Sequence, residues 1–338
     1  MTERNTCVIF GFRVIIGVAF PFSAPAFTLR IKDNKWSDIN YFKDPIKLPE
    51  ETPNHCTPTG FILDQEPYII SRDRDSKIYL RNILKKDSPV TYLGITSTET
   101  VVAYQVDPLN KLNFLVFHKD KNELFLSVFE GNNNTFRQVG NTHSVVKKMN
   151  DYPSLPRSYE DNREYGNRLF FANRLEDGTS ELASIKIHSS GLAIGEALCY
   201  NRAIAYSPSA IEWRIQNQRF YVVFYQGVNK TTGEFTRELK CIKTDINGSI
   251  LGHEEIQPST SYPELRIRIS TSPSVVYRES LSEISVFYID HDTQQIKEAI
   301  IQFSTTEFRL KNIHNVTKSD SSQLLLGANC APFAMQLS

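Results

Sequence analysis

The chain has 338 residues with 38 basic and 38 acidic side chains, so it carries no formal net charge, and 40% of it is hydrophobic, 21 Phe and 15 Tyr included. A balanced composition without a long run of one sign lacks the basic face that a nucleic-acid or anionic-membrane partner requires. Length alone would suggest about two domains, but the internal repeat described below replaces that expectation with one domain over residues 1–338.

In chain order, residues 7–27 have two readings. One is a signal peptide, with Arg4 as its charged start and Ala24-Pro25-Ala26 as a small-residue cleavage site. The other is strand: Arg13 interrupts the apolar run, Pro21 and Pro25 break it, and cleavage would remove a strand that the repeat needs. The strand reading is preferred, with residues 12–16 and 27–31 as two strands, and the apolar stretch is too short to span a membrane. Pro58-Thr59-Gly60-Phe61-Ile62-Leu63 opens the next unit, followed by strands at 68–70 and 77–81. Residues 98–104 open a third, with strands at 114–117 and 123–128. Residues 144–150 are the best short helical candidate. Pro153-Ser154-Leu155, Pro208-Ser209-Ala210-Ile211-Glu212-Trp213, Pro273-Ser274-Val275-Val276-Tyr277-Arg278 and Pro332-Phe333-Ala334-Met335 then repeat the opening phrase. The three after Pro153 follow at intervals of 55, 65 and 59 residues. Runs such as Tyr221-Val222-Val223-Phe224-Tyr225-Gln226 and Ile284-Ser285-Val286-Phe287-Tyr288-Ile289-Asp290 come after the phrase. These β-branched and aromatic runs, separated by Asp/Gly turns, read as strands joined by hairpins.

A unit of a few short strands cannot bury its own faces, so repetition at this period implies blades stacked around an axis. Openings near 58, 100, 153, 208, 273 and 332 predict an all-β, six-bladed propeller of four-stranded blades. The last opening lies seven residues from the C-terminus, so the N-terminal strands must complete its blade, which removes the sheet edges.

Other chemistry is sparse. Cys7, Cys56, Cys199, Cys241 and Cys330 are scattered and form no metal spacing, and no cofactor is expected. No Walker loop, dinucleotide fingerprint or Gly-x-Ser-x-Gly elbow occurs. Among seven histidines, His118 at a strand end is the one acid/base candidate. Glu254 with Glu255 and Asp73 with Asp75 read as solvated turn charges.

The repeats at 223–226, 286–290 and 296–299 resemble the six-bladed fucose-specific lectin propellers best known from fungi. That resemblance implies sugar sites built from an Arg on the second strand, a Glu on the third and an aromatic, usually Trp. Here the Arg position reads Tyr68, Phe114 or Leu115, Val222 and Ser285 in four blades and is kept as Arg13 and Arg168. The Glu is kept as Glu298, with Glu238 a second candidate, and the chain has only Trp36 and Trp213. The triads are therefore broken, which weakens the fucose reading.

A second branch of the same superfamily, the hetero-Diels–Alderases of fungal secondary metabolism, needs no triad. The resemblance to it implies a pocket that orients a tropolone-derived quinone methide and a humulene-type sesquiterpene. Cofactor-free catalysis of that kind rests on positioning and on donors aimed at developing charge. The innermost strands supply aromatic rings, Met and Arg, as an apolar pocket with a few polar handles requires. Arg157, Tyr104, Tyr277 and Arg278 are the expected catalytic donors. Trp213, Arg214, Tyr159, Phe333, Met335 and His118 are the expected substrate contacts. The expected partner is a small hydrophobic metabolite, with a glycan as the alternative, and a homodimer is allowed.

Overall fold

The computed structural model describes residues 6–12, 26–32 and 35–37, and then 59–337 except 65, 74, 83–88, 106–112, 133–134, 157–166, 189–192, 216–217, 230–231, 233–234, 253–255, 259–265, 279–281, 304–306 and 317–330. For 6–37, 333–337, Asn132, Arg214, Ile215, Phe235, Arg278 and Phe303 only the main-chain path is described.

Every regular element among the described residues is a strand. β1 (Thr6–Phe12), β2 (Ala26–Lys32) and β3 (Lys35–Ser37) form one antiparallel meander. β4 (Thr59–Leu63), β5 (Glu66–Arg72), β6 (Lys77–Asn82) and β7 (Thr91–Thr96) form the second. β8 (Val102–Gln105), β9 (Asn113–Asp120), β10 (Glu123–Asn132) and β11 (Thr135–Val146) form the third. β12 (Met149–Ser154), β13 (Asn167–Arg174), β14 (Ser180–Ile187), β15 (Ala193–Ile215), β16 (Gln218–Val228) and β17 (Phe235–Asp245) share one six-stranded sheet. β18 (Ile256–Gln257), β19 (Ser274–Arg278), β20 (Glu283–Ile289), β21 (Ile296–Phe303) and β22 (Phe308–Asn315) make the fifth sheet. β23 (Phe333–Leu337) returns to the first sheet, where Val8 pairs with Met335 and Phe10 with Phe333.

The six-stranded sheet hinges on β15. Its first half pairs with β14 and its second half, from Ile204, pairs with β16, with the register broken between Ala205 and Ser209. The first half is thus the outer strand of one meander and the second half the inner strand of the next. The inner strands touch in a closed cycle, β4 on β8, β8 on β12, β12 on β15, β15 on β19, β19 on β23 and β23 on β4. The result is a propeller-like arrangement of small sheets about a common axis.

The faces between sheets are where the apolar runs go. Phe61, Ile70 and Phe114 lie between the second and third meanders, and Leu115, Phe117 and Phe171 between the third and the start of the fourth sheet. Phe170, Tyr221 and Val223 fill the next gap, and Val222, Phe224, Val286 and Tyr288 the one after. Residues i and i+1 of a second strand point to opposite gaps, so both parities must be apolar. This is why those strands read as continuous rather than alternating runs. Each fully buried Phe or Leu contributes roughly 1.5–3 kcal/mol.

An inner strand has one edge without a sheet neighbour, and its N–H groups need acceptors. The residues after Pro153 and Pro208 answer this need. Ser154 Oγ accepts from Ala210 N at 3.0 Å and Ser209 Oγ accepts from Val275 N at 3.2 Å, each reaching the next inner strand. Thr59 Oγ1 donates to Val101 O, and the Tyr104 hydroxyl accepts from Leu155 N at 3.0 Å. One position earlier, Ser207 Oγ accepts from Tyr152 N, and Ser207 N donates to Ser272 Oγ, both at 2.9 Å. Two residues before the proline, Asp151 and Tyr206 both have φ of 59°. Each sits at a break of register that swings the chain onto the axis, as bulges do.

One expectation is corrected. Residues 144–150 are the end of β11, a turn and the start of β12 rather than a helix. Buried Val145, Val146 and Met149 come from two strands that face one core, which imitates a helical spacing. Of the strand expected at 12–16, Phe12 ends β1 and residues 13–16 lie outside the described ones.

Removing a hydroxyl acceptor leaves a buried N–H unpaired. Ser207→Ala is expected to lower the unfolding free energy by about 1–3 kcal/mol and Ser209→Ala by about 1 kcal/mol, both read from urea midpoints at unchanged slope.

Candidate functional site

Two sets of polar side chains are candidates for a site. The first lies between adjacent sheets, at the place of the Arg and Glu pair. The registers align the second-strand positions Tyr68, Leu115, Arg168, Val222 and Ser285, and each except Ser285 belongs to, or borders, a core shared with the following sheet. The matching third-strand positions are Leu80, Leu126, Ser184, Cys241 and Glu298, each paired with the residue two beyond the second-strand position. Cys241 therefore stands where Glu238 was expected. Glu238 instead bonds Arg266 at 2.6 Å near the surface.

Arg and Glu are each kept once among the described pairs, in different sheets, and each meets a serine. Arg168 Nη1 donates to Ser184 Oγ at 2.9 Å, and Ser285 Oγ donates to Glu298 Oε1 at 2.6 Å. Arg168 Nη2 also donates to Asn247 O at 2.7 Å, in the turn after β17. That turn lies on the guanidinium: a Cβ added to Gly248, which has φ of 93°, would come within 3.0 Å of Arg168 Cζ and 2.7 Å of Leu198. Only 8% of Arg168 is exposed. Beside it Glu212 and Arg219 form a two-pronged ion pair at 2.9 and 2.7 Å, with the Glu212 side chain almost wholly buried. The chain itself occupies the space that an external ligand would need at this gap.

The second set lies where the inner strands begin. Asp151 Oδ2 accepts from Ser207 N at 3.1 Å, and Ser207 also bonds Tyr152 N and Ser272. Hydrogen bonds joining three successive units can form only close to the axis. Asp151 and Tyr104 stay partly exposed there, while Tyr152, Ser207, Ser272 and Lys119 are buried. Burial lifts the Asp151 carboxyl to about 6, against the opposing bonds from Ser207, and Glu99 adds to the rise while Lys119 opposes it. Burial pushes the Tyr104 phenol to about 12. At neutral pH this patch therefore combines a carboxyl that can exchange its proton with phenols that keep theirs.

The expected site residues divide among several places. Tyr104 is on β8, its ring edge-on to Phe117 at 6.0 Å. Trp213 is only 5% exposed and lies in the core between β15–β17 and β19–β22, tilted against Phe220 at 5.9 Å, with the Lys243 ammonium 5.1 Å above its ring. Tyr277 packs against that same core. His118 lies on the second strand β9, away from the inner strands. Its Nδ1 is 2.9 Å from Thr96 O, its Nε2 3.1 Å from Ser127 Oγ, and its ring stacks on Phe125. Burial lowers its pKa, and the network assigns a neutral ring that donates through Nδ1 and accepts through Nε2. Arg214, Arg278, Phe333 and Met335 are placed by main chain alone on β15, β19 and β23, and Arg157 and Tyr159 lie outside the described residues, as does Arg13. Asp151, Ser207, Ser272 and Lys119 belong to no functional motif of the sequence. Their only sequence signal is the repeated dipeptide before each opening proline, Asp151-Tyr152, Tyr206-Ser207 and Thr271-Ser272.

Arg168→Leu is expected to cost about 2–3 kcal/mol, because a buried serine and a turn carbonyl lose a charged donor; its urea midpoint checks this. The raised Asp151 pKa stabilises the fold below about pH 4, and this contribution is lost as pH rises through about 6. The loss amounts to about 1.4 kcal/mol for each factor of ten by which the folded chain binds that proton more tightly than the unfolded chain. Asp151→Asn should flatten that limb of the stability–pH profile between pH 4 and 6.

No protein-family model matches the chain, and no curated protein matches it. Solved structures do. An arginine-to-alanine triple mutant of AofleA from Arthrobotrys oligospora is similar with a TM-score of 0.54 at 8% identity, covering 92% of this chain and 82% of that one. SapL1 lectin in complex with alpha methyl fucoside is similar with a TM-score of 0.54 at 11% identity, covering 90% of each chain. At such identities the likeness is one of fold, the all-β, propeller-like arrangement described above.

Proposed function

We propose that the chain is one six-bladed propeller domain that binds a small hydrophobic, oxygen-bearing metabolite at a single axial site. Its proposed activity is cofactor-free pericyclase chemistry of the hetero-Diels–Alderase kind, joining a tropolone-derived quinone methide to a humulene-type sesquiterpene. The count of six takes β15 as the outer strand of one blade and the inner strand of the next, in keeping with the cycle of inner strands. The observation that carries the functional reading is the state of the lectin-type positions. Tyr68 with Leu80, Leu115 with Leu126 and Val222 with Cys241 are core pairs, and Arg168 is covered by the 245–249 turn. At the inner strands Tyr104 and Asp151 stay partly exposed. A bound dienophile and diene need orientation and a donor to a carbonyl rather than a nucleophile. The Tyr104 hydroxyl accepts from Leu155 N and keeps its own proton to donate. Tyr277, Arg278, Arg157, Tyr159, Arg214, Phe333 and Met335 remain the proposed wall and donors around it.

A second reading, a carbohydrate-binding lectin, is favoured by the likeness to the SapL1 complex and by the Ser285–Glu298 pair, which keeps one sugar-type acceptor. Calorimetry separates the two. Tropolone is expected to bind at one site per chain, with L-fucose and methyl fucoside silent. Saturable sugar binding at more than one site would establish the lectin and end the pericyclase reading. Tyr104→Phe is expected to weaken tropolone binding about tenfold, the worth of one hydrogen bond, with the number of sites unchanged.

A further inference from the structure

The turn after β17 is held together without two of its own side chains. Asp245 Oδ1 accepts from Asn247 N at 2.9 Å and from Ser249 N at 2.7 Å. Gly248 N donates to Asp245 O and Asp245 N to Ser249 O, each at 3.0 Å, and Arg168 takes the carbonyl of Asn247. The Asn247 amide and the Ser249 hydroxyl bond to none of the described residues, and both residues are exposed.

Asn is favoured in turns because its side chain bonds nearby backbone or because it tolerates a left-handed φ. Neither reason applies to Asn247. The side chain that bonds the backbone is that of Asp245, and the positive φ of 93° belongs to Gly248. Close approach to Arg168 and Leu198 accounts for the glycine, but not for its two neighbours. Together the three residues spell Asn-x-Ser, the acceptor sequence for an N-linked glycan. The same pattern begins at Asn133, Asn229 and Asn315, and Asn247 heads the one whose three residues are all described.

The surroundings supply a second, independent observation. Leu198, Ile250 and Leu251 are 40, 40 and 48% exposed, three of the seven large apolar side chains left exposed among the described residues. A Cβ on Gly248 would lie 2.7 Å from Leu198, while Ile250 and Leu251 continue the turn, paired back onto Thr244 and Lys243. Apolar side chains gathered from β15 and from this turn differ from the single apolar residues that any surface carries.

We propose that Asn247 is an N-glycosylation site and that its first sugars lie over Leu198, Ile250 and Leu251. The C–H faces of those sugars cover the apolar side chains while their hydroxyls face water. In the transfer, Asn247 Nδ2 bonds to the anomeric carbon of a lipid-pyrophosphate-linked oligosaccharide. The bond from that carbon to the phosphate oxygen breaks, the lipid pyrophosphate leaves with the electron pair, and the amide gives up one proton. The proposal is independent of the axial reading.

The test uses the full chain secreted from yeast behind that host's own leader. Enzymatic glycan removal in heavy-oxygen water converts a glycosylated Asn to labelled Asp, which mass spectrometry of peptides reads. Asn247 should carry the label in most molecules. Ser249→Ala and Asn247→Gln should each abolish it, with the urea midpoint of the wild type after glycan removal, because neither side chain is bonded into the fold. An unlabelled Asn247 in the secreted, folded chain overturns the proposal. Glycan removal should also raise the binding of a hydrophobic dye, and the double variant Leu198→Ser, Leu251→Ser should lose that rise. Dye binding that does not change on removal overturns the covering of the patch.

Discussion

The hydrogen bond from a backbone N–H of one inner strand to a hydroxyl on the preceding one is the interaction on which the rest depends. Strands at the axis cannot pair edge to edge, since their sheets fan outward, and each unpaired N–H there would cost about 1–3 kcal/mol. Ser154, Ser209, Thr59 and Tyr104 satisfy those groups or their carbonyls while holding neighbouring sheets at one distance. The proline before each serine serves the same geometry from the other side. It has no N–H to satisfy, and its ring restrains the approach of the chain. The phrase that opens each unit in the sequence is in the structure a joint.

The gaps between sheets are filled by apolar side chains on both faces of the described second strands, so a charged group in such a gap needs a partner. Leu115, Val222 and Tyr68 lie in those cores. Arg168 is part of the fold, its fork divided between Ser184 and the carbonyl of Asn247. The 245–249 turn can approach that closely because Gly248 has no Cβ and adopts a positive φ. A buried ion pair next to it, Glu212 with Arg219, keeps that gap polar but closed. Burial of this kind gives little net stability, yet losing either partner is costly.

The axis is built by a different rule. Each chain segment must turn sharply from the outer edge of one sheet to the inner edge of the next, and the bends at Asp151 and Tyr206 take the left-handed conformation that this turn demands. The residues gathered there are short and polar because their backbones crowd, and the same crowding strips water from Asp151. Desolvation then decides its charge state ahead of its hydrogen bonds.

Several features were legible in the residues alone. Recurrence of the proline phrase and of runs such as 221–226 and 284–290 determined the all-β class and the stacking of small sheets, because period and apolar parity are local properties of a strand. The breaking of the Arg and Glu pairs was also visible, since it needs only identity and spacing. Register was not, at residues 144–150, because a two-strand junction fits more than one pairing until a partner strand chooses. The environment of side chains was hidden too. Trp213 and His118 read as surfaces for a ligand, and the structure encloses one in a core and the other among hydroxyls. Asp151 carried no motif at all. Only the meeting of three inner strands, distant in sequence, places it near Ser207 and Ser272 and removes its water, and burial of that kind is a property of the folded whole.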